Sequence, residues 1–522
     1  MRKGRLVPYA ILTCCLILWV GFFAVKGPVF AGVDTFIFRD PGCNCALGRG
    51  LVSQSVPDDA ASIPPQVFAD YTPGAPLLFA PAAAIFGCTT YTDTYYNLLL
   101  VTLIAFSVVW YFPSDDWHRG RRNLAALLAG ITLPGGLFLT DLDRPEALAL
   151  VIFFALLMAW KKTGKIWLQG VLAGCSGILF LIQPYVGIVS FLLFLLLLAS
   201  RPGRPGRLKT AAIACAAALI PVAIWIAALH HADPTAIHRF IEHAMGAKSG
   251  VGVVLKTGAS SAGHAGRLHG YATAVARYTN KANRLTGAPL ASLLLGFLAV
   301  GIAALRWKGK TAQWSPIKVG LCLFAILFLF PALAFPSQPN YFAASNGLLF
   351  AMAAIGGYEF SEEMRRGSVT LVLLAIVALC SVPALMLRVL NSAETKVTYL
   401  HAVAQAARVE QEFRARGYAQ PRLLMDSEHY FVYKPYFQNI YNIGYVKPGD
   451  SLAVFDGLVR CYTGQMANTH AQLSWGDPLR QSDWELIDGD AEANPITLFG
   501  HRVQRRNWSW TCDVYARRGA HP

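Results

Sequence analysis

With 55% of its 522 residues hydrophobic and only 14% charged, the chain is too apolar for an ordinary soluble protein, where roughly 25% of residues are charged. A mean hydropathy of +0.42 agrees. The net charge of +15 gathers in short loops beside apolar runs, so it reads as membrane topology and not as a nucleic-acid surface.

Runs of about 18 or more nearly uncharged residues are long enough to cross ~30 Å of hydrocarbon. By that criterion about eleven spans are expected. They start near Pro8, Thr94, Asn123, Pro145, Ile166, Tyr185, Thr210, Gly287, Pro316, Phe342 and Ser368. The first follows MRKGR and exceeds the h-region of about 7 to 15 residues found in signal peptides, so it is taken as a retained helix. The shorter apolar run from Ala75 to Phe86 is expected to be re-entrant or interfacial.

With that run excluded, one set of loops holds Arg2, Lys3 and Arg5; Arg119, Arg121 and Arg122; Lys161, Lys162 and Lys165; Arg201, Arg204, Arg207 and Lys209; Arg306, Lys308 and Lys310; and Arg365 and Arg366. The opposite short loops TDLDRPE, LIQP and PSQPN contain only Arg144. Since cytoplasmic loops collect Lys and Arg, a cytoplasmic N-terminus and an external C-terminus are expected, in a multi-pass plasma (inner) membrane protein.

Two external loops, residues 27–93 and 230–286, and a tail interrupt this pattern. In the tail, HAVAQAARVEQEFRARG has helical periodicity, whereas PRLLMDS, SLAVFDG, WELIDG and TCDVYARR read as short strands between turn residues. The expected architecture is therefore a mainly α membrane domain, 1–390, followed by a small extracytoplasmic α/β domain, 391–522. Of the eleven cysteines, only Cys461 and Cys512 lie in the tail. They are candidates for a bridge on a face where disulfides persist. Cys43 and Cys45 have no matching His or Cys pair at zinc spacing.

Chemistry-bearing residues cluster in the first loop, GVDTFIFRDPGCNCALGRG, which leads to YTPGAPLLFAPAAAIFG. Asp40-Pro41-Gly42 also suits a turn, and Asp34 a helix cap. On the same face, TDLDRPEALAL opens the span near Pro145; Asp143 and Glu146 have the spacing of a capping box. The second loop spreads Lys248, Lys256, Arg267 and other basic residues along a Gly- and Ser-rich stretch. That loop suits either a mobile lid over an anionic substrate or a basic segment on anionic lipid.

An acid just after the first span, followed by an aromatic-Pro-x-x-Pro-Leu-Leu helix, resembles the first external loop of GT-C membrane glycosyltransferases. The likeness is to the protein O-mannosyltransferase and aminoarabinose transferase superfamily, which uses polyprenyl-phosphate sugars. It covers about 390 residues in architecture. The resemblance implies a GT-C fold with interfacial helices in the first loop, and transfer of a sugar from a polyprenyl-phosphate donor to a glycan, lipid or protein acceptor. It implies Asp34 as the general base, with Asp40, Asp141, Asp143, Arg144 and Glu146 sharing the substrate cavity. Tyr71 stands where some relatives place a phosphate-holding Lys before the prolines. Of the Arg-Tyr pair that touches lipid phosphate in relatives, only Tyr341 in PSQPNYFAAS carries over. Phosphate charge would be met by Arg144, by Lys248, Lys256 and Arg267, or by a divalent Mg²⁺ or Mn²⁺ ion on Asp34 or Asp143.

Two other readings compete. A transporter or flippase of a lipid-linked sugar would carry ionisable groups near the bilayer midplane, whereas here the acids gather on one face. A non-catalytic scaffold presenting the tail would leave Asp34, Asp143 and Arg144 without a shared role.

Overall fold

The computed structural model describes residues 6–28, 35–53, 66–69, 71–111, 122–124, 126–127, 130, 145–163, 165–199, 206–245, 395–425, 429–443, 452–461, 483–489, 497–498, 501–502 and 512–518. These form a mostly helical protein with a small C-terminal sheet. The spans expected from Gly287 onward lie outside the described residues.

Two compact units are formed. One comprises Met1–Trp19, Ala69–Ala75 and Asn97–Arg388; the other comprises Val20–Phe68, Pro76–Tyr96 and Val389–Pro522. The last segment of the second unit begins at Val389, and residues Val20–Phe68 and Pro76–Tyr96 are grouped with it. Most of the first external loop thus belongs with the tail, where its buried Asp40 meets Tyr430 and Lys434.

In the first unit, apolar helices begin near the expected positions, at Glu146–Lys162, Ile166–Gly174, Ser176–Ile182, Pro184–Ala199 and Arg207–Ala232. Among the described residues, two helices are long and apolar enough to cross a membrane, Val7–Lys26 and Leu208–Ala232. The run from Ile166 is broken at Cys175 into two short helices. Gly170, Gly174 and Gly177 face the helix Arg207–Ala232, and a Cβ on Gly170 would already press on Thr210 at 3.0 Å. Additions at Gly174 and Gly177 would collide with Ala217 and Ala218. Such close backbone approach over small residues is how helices pack in lipid, where no hydrophobic force joins them. At one end, buried Arg122 donates to the Tyr9 hydroxyl at 2.8 Å and the Val109 carbonyl at 3.2 Å.

In the second unit, the helix Thr395–Ala415 buries Tyr399, Ala402, Ala406, Val409 and Phe413, a 3,4 spacing that makes one continuous apolar stripe. It ends in a Schellman motif: Tyr418 N–H reaches the Phe413 carbonyl, Gly417 N–H reaches Arg414, and Gly417 takes φ of 87°. The Phe413 and Tyr418 rings, 5.6 Å apart, complete the stop.

The strands among the described residues are, in chain order, β1 (Val52–Ser53), β2 (Gln66–Val67), β3 (Arg422–Met425), β4 (Asn439–Asn442), β5 (Gly457–Cys461), β6 (Trp484–Gly489), β7 (Thr497–Leu498), β8 (His501–Arg502) and β9 (Cys512–Arg517). The helical stripe belongs to the same core as a five-stranded sheet of order β4-β3-β5-β9-β6. β3 pairs in parallel with β4 and β5, while β9 runs antiparallel to β5 and β6. Of the tail segments read as strands, SLAVFDG differs: Leu452–Val454 forms a 3₁₀ turn, and the strand starts only at Gly457. Gly457 sits where a Cβ would lie 2.5 Å from Leu423 and 2.6 Å from Phe413, so the strand and helix meet over bare backbone.

Cys461 and Cys512 are directly opposite in the β5–β9 register and are disulfide-bonded. The Gln405 side chain accepts from Cys512 N–H at 2.9 Å and donates to its carbonyl at 2.6 Å. It also donates to Asp488 at 2.9 Å, which lies at the register shift in β6.

Candidate functional site

Residues 35–44 of the first loop form a buried nucleus. Phe36 and Phe38, in the short helix Thr35–Phe38, are enclosed, as are Arg39, Asp40, Cys43 and Asn44. Asp40 opens the helix Asp40–Ala46, with Pro41 in its first turn. Proline is suited to that place because its missing N–H has no helical acceptor there. Local sequence favours a turn at Asp40-Pro41-Gly42; burial turns the same residues into a helix start. A Cβ on Gly42 would stand 2.7 Å from the Pro76 carbonyl, so the following helix, Gly74–Phe86, packs onto bare backbone.

Two opposite charges at successive positions are neutralised in different directions. Arg39 Nε donates to Asp93 Oδ1 at 2.8 Å, and its guanidinium carbon lies 4.8 Å and 5.0 Å from the ring centres of Phe79 and Tyr96. Stacking between aromatic faces suits the planar, weakly hydrated guanidinium. Asp40 turns to the tail domain: Tyr430 donates to Oδ1 at 2.5 Å, Lys434 at 3.1 Å, and Asn44 donates to Oδ2 at 3.2 Å.

Lys434 spends all three of its donors, on Asp40 Oδ1, on Asn44 Oδ1 at 3.2 Å and on the Gln438 carbonyl at 3.3 Å. Burial lowers the Lys434 ammonium below the ordinary lysine range, and the Asp40 carboxylate opposes that shift. Burial, followed by the same carboxylate, raises the Tyr430 phenol well above its ordinary value. A disulfide from Cys43 to Cys88 closes the nucleus covalently.

Asp40 was expected at a substrate cavity. Its side chain is enclosed by Tyr430, Lys434 and Asn44, with nothing exposed. Tyr71 is half-buried in a bend before the helix Gly74–Phe86. Glu146 begins the helix Glu146–Lys162; Pro145 holds the N-cap position, without a side-chain cap bond. Asp34, Asp141, Asp143, Arg144, Lys248, Lys256, Arg267 and Tyr341 lie outside the described residues.

A divalent cation does not fit the described acids of the loop, because Asp40 and Asp93 each already face a protein cation. Buried His429 lies within 4.8 Å of the sulfurs of Cys461 and Cys512, but those sulfurs are spent in a disulfide and offer no thiolate.

Sequence reasoning missed Lys434, Tyr430, Asn44, Arg39 and Asp93, and the Cys43–Cys88 pairing. Two signals were present: Lys434 is a lone cation in the aromatic run YFVYKPYF, and FIFRDPG holds adjacent opposite charges after an apolar run. Both patterns ask for buried partners.

No protein-family model matches the chain, and no curated protein matches it. Among solved structures, the chain is similar to the oligosaccharyltransferase of Archaeoglobus fulgidus, solved as a complex with zinc and sulfate. The TM-score is 0.40 at 11% sequence identity, over 83% of this chain and 62% of that chain. The chain thus spans less than two thirds of that relative's length.

Proposed function

We propose that the chain is a GT-C-type membrane glycosyltransferase, with about eleven spans, acting on the extracytoplasmic face of the membrane. It moves a sugar from a polyprenyl-phosphate donor to a glycan, lipid or protein acceptor. The observation that carries this reading is the anchoring of the first loop. Thr35, the residue after Asp34 in the chain, begins a segment held by Arg39–Asp93, Asp40–Lys434 and Cys43–Cys88. A catalytic base needs such rigid support, since a displacement of about 1 Å can cost roughly 10²-fold in rate.

In this reaction Asp34 takes the acceptor hydroxyl proton as the oxygen attacks the anomeric carbon from the face opposite the phosphate. The new glycosidic bond forms, the bond from carbon to phosphate oxygen breaks, and the electron pair leaves with polyprenyl phosphate, inverting the centre. Arg144, Lys248, Lys256 and Arg267 would meet the phosphate charge. Tyr71, Asp141, Asp143, Glu146 and Tyr341 would line the cavity. No step is routed through a metal.

The test is to incubate membranes containing the chain with a panel of radiolabelled polyprenyl-phosphate sugars and to follow label into non-donor products. Transfer from at least one donor, absent in membranes lacking the chain, is expected. Movement of intact donor across sealed vesicles without any transfer would replace the enzyme with a flippase.

A further inference from the structure

The helix Arg207–Ala232 carries an exposed apolar surface: Leu208, Leu219 and Ile224 are 87%, 65% and 64% exposed. At 1.5 Å per residue the 25 residues Leu208–Ala232 reach about 37 Å, enough to cross a hydrocarbon core of ~30 Å. It stops at Asp233, which organises a tight exit. Asp233 Oδ1 accepts from the Thr235 N–H at 2.9 Å and hydroxyl at 2.7 Å, and Arg239 donates to Oδ2 at 2.8 Å. A second helix, Ala236–Met245, follows at once.

That second helix is divided along its length. At 100° per residue, Ala236, Ile237, Phe240 and Ile241 fall on one side of the helix, and His238 and Arg239 on the other. One edge of the apolar half packs on the preceding helix, where the Phe240 and Trp225 rings meet edge to face at 4.9 Å. The other edge carries Ile241, 50% exposed.

We propose that Ala236–Met245 lies in the membrane interface as an apolar anchor, with Ile241 toward the acyl chains and His238 toward water. The inference rests on reading Leu208–Ala232 as a span. Two observations choose the bilayer as occupant. The apolar side follows directly in the chain on a helix whose Leu208, Leu219 and Ile224 are exposed, with only the Asp233 turn between the two helices. On the polar side Arg239 is paired with Asp233, and the sequence of this helix adds no Lys and no second Arg. Attachment therefore comes from buried apolar area and not from attraction to anionic headgroups, which would need unpaired Lys or Arg. This divides the second external loop: its first ten helical residues are an anchor, whereas the basic residues beyond Met245 are a separate matter.

The test uses the full chain in phospholipid vesicles, with an environment-sensitive fluorescent amino acid placed singly at Ile241, His238 or Ile224. Iodide quenching at 241 should be about fivefold weaker than at 238, while shallow nitroxide-labelled lipids quench 241 more strongly. Replacing neutral by anionic lipid, or adding 0.5 M salt, should leave this ratio unchanged to within about twofold. Equal iodide quenching at 241 and 238 with 224 shielded overturns the interfacial anchor alone. Iodide access at 224 overturns the span and the anchor together. Loss of the difference in high salt overturns the apolar mode of attachment.

Discussion

Lys434 and Asp40 stand 394 residues apart in sequence and 3.1 Å apart in space, with side chains 1% and 0% exposed. Removing one member of a buried pair strands the other charge, which costs about 3–5 kcal/mol. Lys434→Met should therefore lower protease resistance of the solubilised full chain by that order. The double variant Asp40→Asn/Lys434→Met should recover much of the loss, since it leaves no lone charge. A double variant as unstable as the sum of the singles would show that the two residues do not act as a pair.

The neighbouring acids should separate by phenotype. Asp34→Asn should keep the protein stable and in the membrane yet slow transfer by roughly 10²-fold or more, because an amide cannot take the acceptor proton. Asp40→Asn should instead weaken the nucleus, detected as faster proteolysis of the tail. Normal transfer by Asp34→Asn would remove it as the base.

Peptide mapping without reduction should recover Cys43 linked to Cys88 and Cys461 linked to Cys512, while Cys45 remains a thiol. The sequence separations of 45 and 51 give about 4 kcal/mol for each bridge on the chain-entropy account. Cys88→Ala should accordingly sensitise the first loop to protease. Recovery of a Cys45–Cys88 peptide would contradict this pairing.

Alkali should loosen the tail domain in a defined window. Burial raises the Tyr441 phenol to about 12, so the folded form keeps a proton that the unfolded chain releases near pH 10. Its contribution is intact below that pH and is lost as pH rises through the window. The loss is about 1.4 kcal/mol per pH unit for this group. Pulse proteolysis of the parent and of Tyr441→Phe between pH 9 and 12 should show a shallower decline in the variant.

The sequence made the helix Thr395–Ala415 legible because its buried side chains recur at helical spacing, and β6 and β9 legible because turn residues bracket them. SLAVFDG misled because its apolar residues lack the partner strand until Gly457. The charge nucleus was hidden for another reason. Asp40-Pro-Gly has a strong local preference, and nothing within a window of ten residues announces that Tyr430 and Lys434 will enclose it. Cys43 could likewise be assigned only by proximity to Cys88, which spacing alone does not supply.

The same long separation sets an order of events during synthesis. At about 5–20 residues per second, the 45 residues between Cys43 and Cys88 emerge within roughly 2–9 s, whereas Lys434 follows Asp40 by roughly 20–80 s. The loop can be stapled early, but its carboxylate waits in water for most of the time the ribosome needs. A nascent chain arrested before Lys434 would carry the covalent closure without the cation that lets Asp40 go inside.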